Sequence, residues 1–215
     1  MLAAALLCAA LSAAGLGSET PALDAHTLAQ RVDQHYNKLH SLKAGFTQSY
    51  DGLGVKRSES GTLLLEKPGR MRWDYSSPEG KIFLLDGKFA WFYAPGDPHV
   101  QRMKAKELDD LRSPLRFLLG HTELEKEFNQ LTLKATANGE FTLSGVPKGQ
   151  ENRIQGVTLT LRSDGAIIGI EIEEIDGTMT RFSFTNEAGN AVVPANAFRF
   201  TAAAGVPVVD GLPPI

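Results

Sequence analysis

Residues 61–95 read GTLLLEKPGRMRWDYSSPEGKIFLLDGKFAWFYAP, a sequence that predicts four short β-strands in succession. The segments between them, Lys-Pro-Gly, Ser-Ser-Pro-Glu-Gly and Asp-Gly-Lys, are rich in residues that form turns. The predicted strands are Gly61–Glu66, Arg70–Tyr75, Lys81–Leu85 and Phe89–Tyr93. Strands with one apolar and one solvated face are typical of an antiparallel sheet.

The second of these strands is strongly amphipathic, since successive side chains point to opposite faces of a sheet. Its charged face carries Arg70, Arg72 and Asp74, and its apolar face carries Met71, Trp73 and Tyr75. The charges, with Lys67 in the preceding turn, can simply oppose edge-to-edge aggregation. An apolar stripe is ordinarily part of the core. Here, however, the predicted sheet is too large for one helix to cover without leaving a hollow. We therefore expect the apolar stripe to line a cavity.

The rest of the chain predicts one N-terminal helix and further antiparallel strands. Leu23–His40 has Asp24 as a suitable N-cap and an apolar stripe at helical spacing. Strands are predicted at 42–50, 55–66 and 99–103, and period-2 alternation continues around 131–134, 141–144, 157–162, 168–173 and 182–185. The predicted fold is mainly β: an incomplete, unclosed antiparallel barrel of about eleven strands, with its apolar face under an α-helical lid.

Two short helices are predicted to interrupt the strands. Lys104–Arg112 is a charged helical segment, and Ser113–Leu119 begins with an N-cap Ser followed by Pro and is otherwise largely apolar. An apolar helix inserted into a sheet protein is expected to cover an open face. Near the C-terminus, Pro194–Ala197 predicts a helical turn and Phe198–Phe200 a last short strand.

Composition limits the function classes. The 215 residues are 42% hydrophobic with a formal net charge of −3, which argues against a nucleic-acid or anionic-membrane binder. Residues 1–17 are uncharged and rich in Ala and Leu, so we expect a signal peptide followed by one domain over residues 18–215. Cys8, the sole cysteine, lies in that segment, so the mature chain is expected to have neither a disulfide nor a thiolate metal site.

No catalytic motif is present: the sequence lacks a nucleophile elbow, a glycine-rich phosphate loop and a zinc-protease helix. His35 and His40 do not share a helix face, so no metal site is predicted. Glu171, Glu173 and Asp176 form an acidic group that a hydrolase would need, but they oppose the isoleucine face and are expected to be solvated. The sequence indicates a binding protein, not an enzyme, with no cofactor.

Together these residues resemble the outer-membrane lipoprotein carrier family, LolA. The resemblance covers nearly the whole predicted mature chain, and the 61–95 segment is its most specific part. Its motifs are Leu28-x-x-Arg31-Val32 with Ser41–Gln48; Lys67-Pro68, Arg72-Trp73, Asp86-Gly87-Lys88 and Trp91-Phe92-Tyr93-x-Pro95; and Asp164-Gly165 with Phe198-x-Phe200-Thr201 and Gly205-Val206-x-Val208.

The resemblance implies a monomeric periplasmic chaperone. Such a carrier takes acylated lipoproteins from an inner-membrane ABC exporter, shields their acyl chains and passes them to an outer-membrane receptor. The acyl cavity is then expected to be lined by Met71, Trp73, Tyr75, Leu115 and Leu118.

The resemblance also implies a latch. In the family a basic residue, commonly Arg before the Pro, bonds backbone carbonyls of the lid. That position is Lys67 here, so the hypothesis is that Lys67, or Arg70 in its place, latches the segment Ser113–Leu119.

The resemblance leaves a second function open, a general periplasmic lipid-binding or lipoprotein-sensing module of the same fold. The pathway's receptor is a close variant of this fold and is itself a lipoprotein, which requires a mature N-terminal Cys. Cys8 is poorly placed to provide one.

Overall fold

The computed structural model describes residues 23–107, 116–136, 138–202 and 204–211. Within these ranges the chain forms one helix, α1 (Ala25–Asn37), a short helix, α2 (Leu124–Glu127), and twelve strands in a single sheet. The strands are β1 (Ser41–Gly52), β2 (Val55–Glu66), β3 (Arg70–Ser77), β4 (Glu79–Asp86), β5 (Phe89–Tyr93), β6 (Val100–Lys104), β7 (Phe128–Ala135), β8 (Phe141–Pro147), β9 (Ile154–Leu161), β10 (Ile167–Glu174), β11 (Met179–Gly189) and β12 (Val208–Asp210).

The strand order is β12-β6-β5-β4-β3-β2-β1-β11-β10-β9-β8-β7, so β12 and β7 are the two edges of the sheet over the described ranges. All neighbours pair antiparallel except β12 and β6, which are parallel. The predicted unclosed, mainly antiparallel sheet is thereby confirmed, with one strand more than expected and one parallel pair at its edge.

The register of the 61–95 segment collects its large apolar side chains in one row. Leu63 pairs with Trp73, Trp73 with Phe83, and Phe83 with Phe92 across four adjacent strands. Paired residues lie on the same face, so the row is one apolar stripe across the sheet. The alternation in the sequence therefore determines which face of this half of the sheet is buried.

Helix α1 lies on that apolar face. It begins where the Asp24 carboxylate accepts a hydrogen bond of 2.7 Å from the Thr27 N–H, and it buries Leu28, Ala29, Val32 and Tyr36. The turn between β9 and β10 is packed against it: a Cβ at Gly165 would lie 2.4 Å from the Arg31 carbonyl carbon. Only glycine permits this approach, and the φ of +89° at Gly165 favours glycine as well.

Some predicted elements differ in the structure. Of Lys104–Arg112, the described part forms one 3-10 turn, Ala105–Glu107, and of Ser113–Leu119 the described part forms a 3-10 helix, Arg116–Leu119. Helix α2 was not predicted.

The prediction of a strand at Phe198–Phe200 was wrong: Phe198 lies in a turn, and Arg199 and Phe200 have no regular secondary structure. The Phe200 ring stacks on Trp91 at a centroid distance of 5.2 Å. The last strand is β12 instead, in a segment whose exposed side chains give no alternation signal.

Candidate functional site: the covered apolar face

The apolar face of the sheet is covered in this structure, and three of the residues predicted to line a cavity lie within its core. The exposed fractions are 0% for Met71, 3% for Trp73 and 2% for Leu118. Tyr75 is half-buried and packs against the same core. Leu115, the fifth residue of that prediction, lies outside the described residues.

Trp73 is the centre of an aromatic cluster. Its ring centroid lies 4.7 Å from that of Phe46 in an edge-to-face arrangement, 5.6 Å from Phe182 and 6.3 Å from Phe184. Phe46 and Phe184 are directly paired on β1 and β11. The cluster thus joins β3 to the central strands of the sheet, and such pairs stabilise the packing beyond simple area burial.

Tyr75 forms the polar margin of this cluster. Its hydroxyl donates to the Gln48 side-chain oxygen at 3.3 Å, and the Lys81 ammonium lies 4.4 Å from its ring centroid. Burial, and secondarily the nearby Glu59 carboxylate, raise the pKa of the Tyr75 phenol, so it stays protonated and remains a donor. The apolar face therefore ends in hydrogen-bonding groups at Tyr75.

Within the described ranges, two elements cover the apolar face: α1 and residues 116–127, which we call the cover segment. The Asn37 side chain donates to the Thr122 carbonyl at 2.8 Å and accepts from the Thr122 N–H at 2.7 Å. The Asp33 carboxylate accepts from the Leu124 N–H at 2.9 Å. Through these bonds, α1 and the cover segment are held together.

The turn at residues 67–69 holds both covering elements. The Lys67 ammonium donates to the carbonyl of Tyr36 at 2.9 Å, and the Lys67 N–H donates to the carbonyl of His40 at 2.8 Å. The Gly69 N–H donates to the Leu119 carbonyl at 3.1 Å. The Lys67 side chain thus bonds α1, whereas the backbone of the same turn bonds the cover segment. Burial lowers the pKa of the Lys67 ammonium.

Arg70 lies on the other face of β3, away from the core. It pairs with Glu66 at 2.9 Å, and its guanidinium carbon lies 5.4 Å from the centroid of the Phe198 ring. Arg72 beside it donates to the Ala197 carbonyl at 2.9 Å. These contacts hold residues 197–198 on the outer face of the sheet. The partners of Arg70 named here are therefore not part of α1 or the cover segment.

A buried polar network at α1 was missed by the sequence analysis. The Glu187 carboxylate accepts from the Tyr36 hydroxyl at 2.9 Å and from His35 at 2.6 Å, and the Ile167 N–H donates to the Tyr36 hydroxyl at 2.9 Å. Burial and Glu187 raise the pKa of the Tyr36 phenol. The signal available in the sequence was a Tyr on an otherwise apolar helix stripe, which requires a buried partner for its hydroxyl.

Of the acidic group considered for hydrolysis, Glu171 and Glu173 lie on the outer face of the sheet, and Asp176 lies in the turn after β10. Glu171 pairs with Arg181, and the Asp176 carboxylate accepts from the Thr178 N–H at 2.9 Å. Glu171 and Glu173 border an open polar groove of about 680 Å³ on β7–β10. Among the described residues, no cluster of three His, Cys, Asp or Glu side chains is placed to hold a metal ion. The helices of the same ranges are too short or too polar to cross a membrane.

The fold and its covered apolar face can now be compared with known proteins. A sequence profile described as "Outer membrane lipoprotein carrier protein LolA" matches residues 37–201. The chain belongs to this family.

Similar curated proteins carry the same description. An outer-membrane lipoprotein carrier protein from Proteus mirabilis is 31% identical over 198 residues, covering 90% of this chain and 92% of its own. The one from Chromobacterium violaceum is 28% identical over 211 residues, covering 98% and 97%.

Solved structures agree on the fold. An uncharacterised conserved protein from Thermus thermophilus has a TM-score of 0.55 at 12% identity, over 87% of this chain and 99% of its own. A DUF1329 family protein from Desulfovibrio piger has a TM-score of 0.50 at 14% identity, over 81% and 95%. At such low identity these likenesses concern the fold alone.

Proposed function

We propose that this protein is a periplasmic lipoprotein carrier without enzymatic activity. It takes acylated lipoproteins from an inner-membrane ABC exporter, shields their acyl chains against the apolar face of the sheet, and delivers them to an outer-membrane receptor. The observation that supports this most directly is a continuous apolar face that lies under α1 and the cover segment. The names of the curated relatives support the same role.

The energetics require such a shield. Each acyl methylene left in water costs about 0.8 kcal/mol, so a lipid anchor does not cross an aqueous compartment unaccompanied. The interior offers Met71, Trp73 and the phenylalanines around them as an apolar surface of matching character. Acyl chains gain access when α1 and the cover segment move off these side chains. This movement breaks the bonds made by Lys67 and Gly69 and those that Tyr36 makes with Glu187 and Ile167.

The test is reconstituted transfer. The protein is incubated with vesicles that carry the ABC exporter and a triacylated lipoprotein, and soluble complex is measured before and after adding the receptor. We expect an ATP-dependent soluble complex that the receptor empties. Uptake of phospholipid with no lipoprotein complex would favour the general lipid-binding module instead.

A double variant tests the alternative that the protein is a hydrolase. Replacing Glu171 and Glu173 with Gln removes both groove acids while keeping the size of the side chains. Transfer is expected to stay at the wild-type level, because both side chains lie on the face opposite the apolar core. Loss of transfer with a folded protein would contradict the carrier assignment of the apolar face.

A further inference from the structure

The indole nitrogen of Trp73 is an unusual group in the core. It is buried and has no hydrogen-bond partner within the residues that the structure describes. The second tryptophan in the chain, Trp91, shows the ordinary situation, since its indole N–H donates to the Asp86 carboxylate at 2.8 Å. Buried polar groups are nearly always hydrogen-bonded, and an unpaired one requires an explanation.

The described neighbours of Trp73 offer its indole N–H no strong hydrogen-bond acceptor. Its described ring neighbours are Phe46, Phe182 and Phe184, and the face of an aromatic ring is a weak acceptor at best. Its cross-strand partners Leu63 and Phe83 have apolar side chains. The indole N–H is therefore a hydrogen-bond donor set in an apolar surface. Phenylalanine would pack there without that unpaired donor.

We propose that the Trp73 indole N–H donates a hydrogen bond to the carbonyl oxygen of an acyl ester of the bound lipid. This inference rests on the proposed function. A hydrocarbon chain has no acceptor, so the carbonyl at the head of the chain is the part of an acyl group that can pair with the donor. The bond then fixes how deep that one chain lies, with its carbonyl at Trp73 and its methylenes beyond.

Such a hydrogen bond would make the protein prefer lipids whose chains are linked as esters over lipids whose chains are linked as ethers. An acyl ester presents a carbonyl oxygen, whereas an alkyl ether of the same length presents only a weaker ether oxygen. A site built to hydrogen-bond one group discriminates against the analogue that lacks it. For a neutral hydrogen bond, we expect a preference of about three- to tenfold.

The test compares two probes of equal carbon number: an S-diacylglyceryl-cysteinyl lipopeptide and its dialkyl ether counterpart. Competition binding to the full protein is expected to favour the ester about fivefold. Trp73→Phe is expected to bind both equally, and Trp91→Phe to retain the preference. Equal binding of the probes to the wild type, or a preference that survives in Trp73→Phe, overturns the inference while leaving the carrier function standing. If the wild type binds neither probe, the proposed function fails together with it.

A spectroscopic measurement gives an answer even if Trp73→Phe fails to fold. In the Trp91→Phe variant, Trp73 is the sole tryptophan, because the chain has 2. Its indole proton resonance is expected to move downfield with the ester probe and to move less with the ether probe. Equal shifts with the two probes would show that no carbonyl bonds the indole.

Discussion

The Lys67 ammonium donates a 2.9 Å hydrogen bond to the carbonyl of Tyr36, in the last turn of α1. A cation at this end of a helix complements the helix dipole and the carbonyls that have no partner within the helix. The Lys67 ammonium bonds a single carbonyl, that of Tyr36. A single donor such as Lys is enough for this bond, and the planar, two-pronged guanidinium of Arg is not needed. Lys67, at the position where the resemblance implies a latch, thus has a suitable acceptor on α1.

Replacing Lys67 with Leu is expected to favour the uncovered arrangement. A bond made only in the covered arrangement contributes at most about 1 kcal/mol at this partly exposed site, so its loss raises lipid affinity by up to about fivefold. Hand-off to the receptor should slow accordingly. Equilibrium binding of a fluorescent lipopeptide and receptor-dependent release measure the two effects. Lys67→Arg, which keeps the donor, should behave as wild type, and unchanged uptake and hand-off in Lys67→Leu would refute the latch.

Gly69→Ala should loosen the cover segment. The φ of Gly69 is +72°, which costs a non-glycine residue about 1 kcal/mol, and its N–H holds the Leu119 carbonyl. Gly54→Ala is the matched control, because Gly54 has a φ of +78° and, like Gly69, nothing within 4 Å of an added Cβ. Both variants should lose similar free energy of unfolding, but only Gly69→Ala should speed amide exchange in residues 116–124. Identical exchange patterns would mean that the turn does not hold the cover.

Gly165→Ala is expected to be severe. An added Cβ would lie 2.4 Å from the Arg31 carbonyl carbon, so α1 must shift, and a loss of about 3 kcal/mol or more in unfolding free energy follows. The control is Gly177→Ala in the corresponding Asp-Gly turn after β10, where φ is +84° and nothing lies within 4 Å. That variant should lose only the backbone term of about 1 kcal/mol. Urea unfolding measures both, and equal losses would contradict the packing of α1 on this turn.

Asp33 is expected to make the stability of the folded protein depend on pH. Burial raises its pKa above the ordinary 3.8, although the Leu124 N–H opposes the shift. The folded state therefore binds more protons than the unfolded chain just above pH 3.8, and the Asp33 contribution to stability falls as pH rises through that window.

Asp33→Asn isolates this term, because the amide oxygen can still accept from Leu124 and cannot ionise. The difference in unfolding free energy between Asp33→Asn and wild type should move in favour of the variant from pH 4 to pH 6, a range set by the ordinary carboxyl pKa of about 4. A difference that is flat with pH would show that burial does not disfavour the charged form.

Local patterns in the sequence predicted most of the elements. The four strands of residues 61–95 lie where expected, and β5 matches its predicted bounds, Phe89–Tyr93. Short turns and period-2 alternation act within a few residues, so they can be interpreted without knowing the fold. The 3-10 segment at Arg116–Leu119 and strand β12 were harder, because a 3-10 turn and a three-residue edge strand carry too few residues for a periodic signal.

Lys67 shows why the contacts within the candidate site could not be predicted from the sequence. The sequence singled out its turn, but its acceptor lies on α1, 31 positions earlier in the chain. The partner of a donor in a turn depends on which element packs above it, and that is decided by the docking of α1 through Gly165 and Tyr36.

The sequence alone was enough to predict most of the strands, their apolar faces and the family, since local patterns of residues carry these signals. The tertiary structure decided what covers the apolar face and through which atoms. It also decided that Trp73 is enclosed by rings with no acceptor among the described residues. Hydrogen-bond satisfaction of a buried group depends on neighbours from distant strands, and those neighbours are fixed only when the whole sheet is assembled.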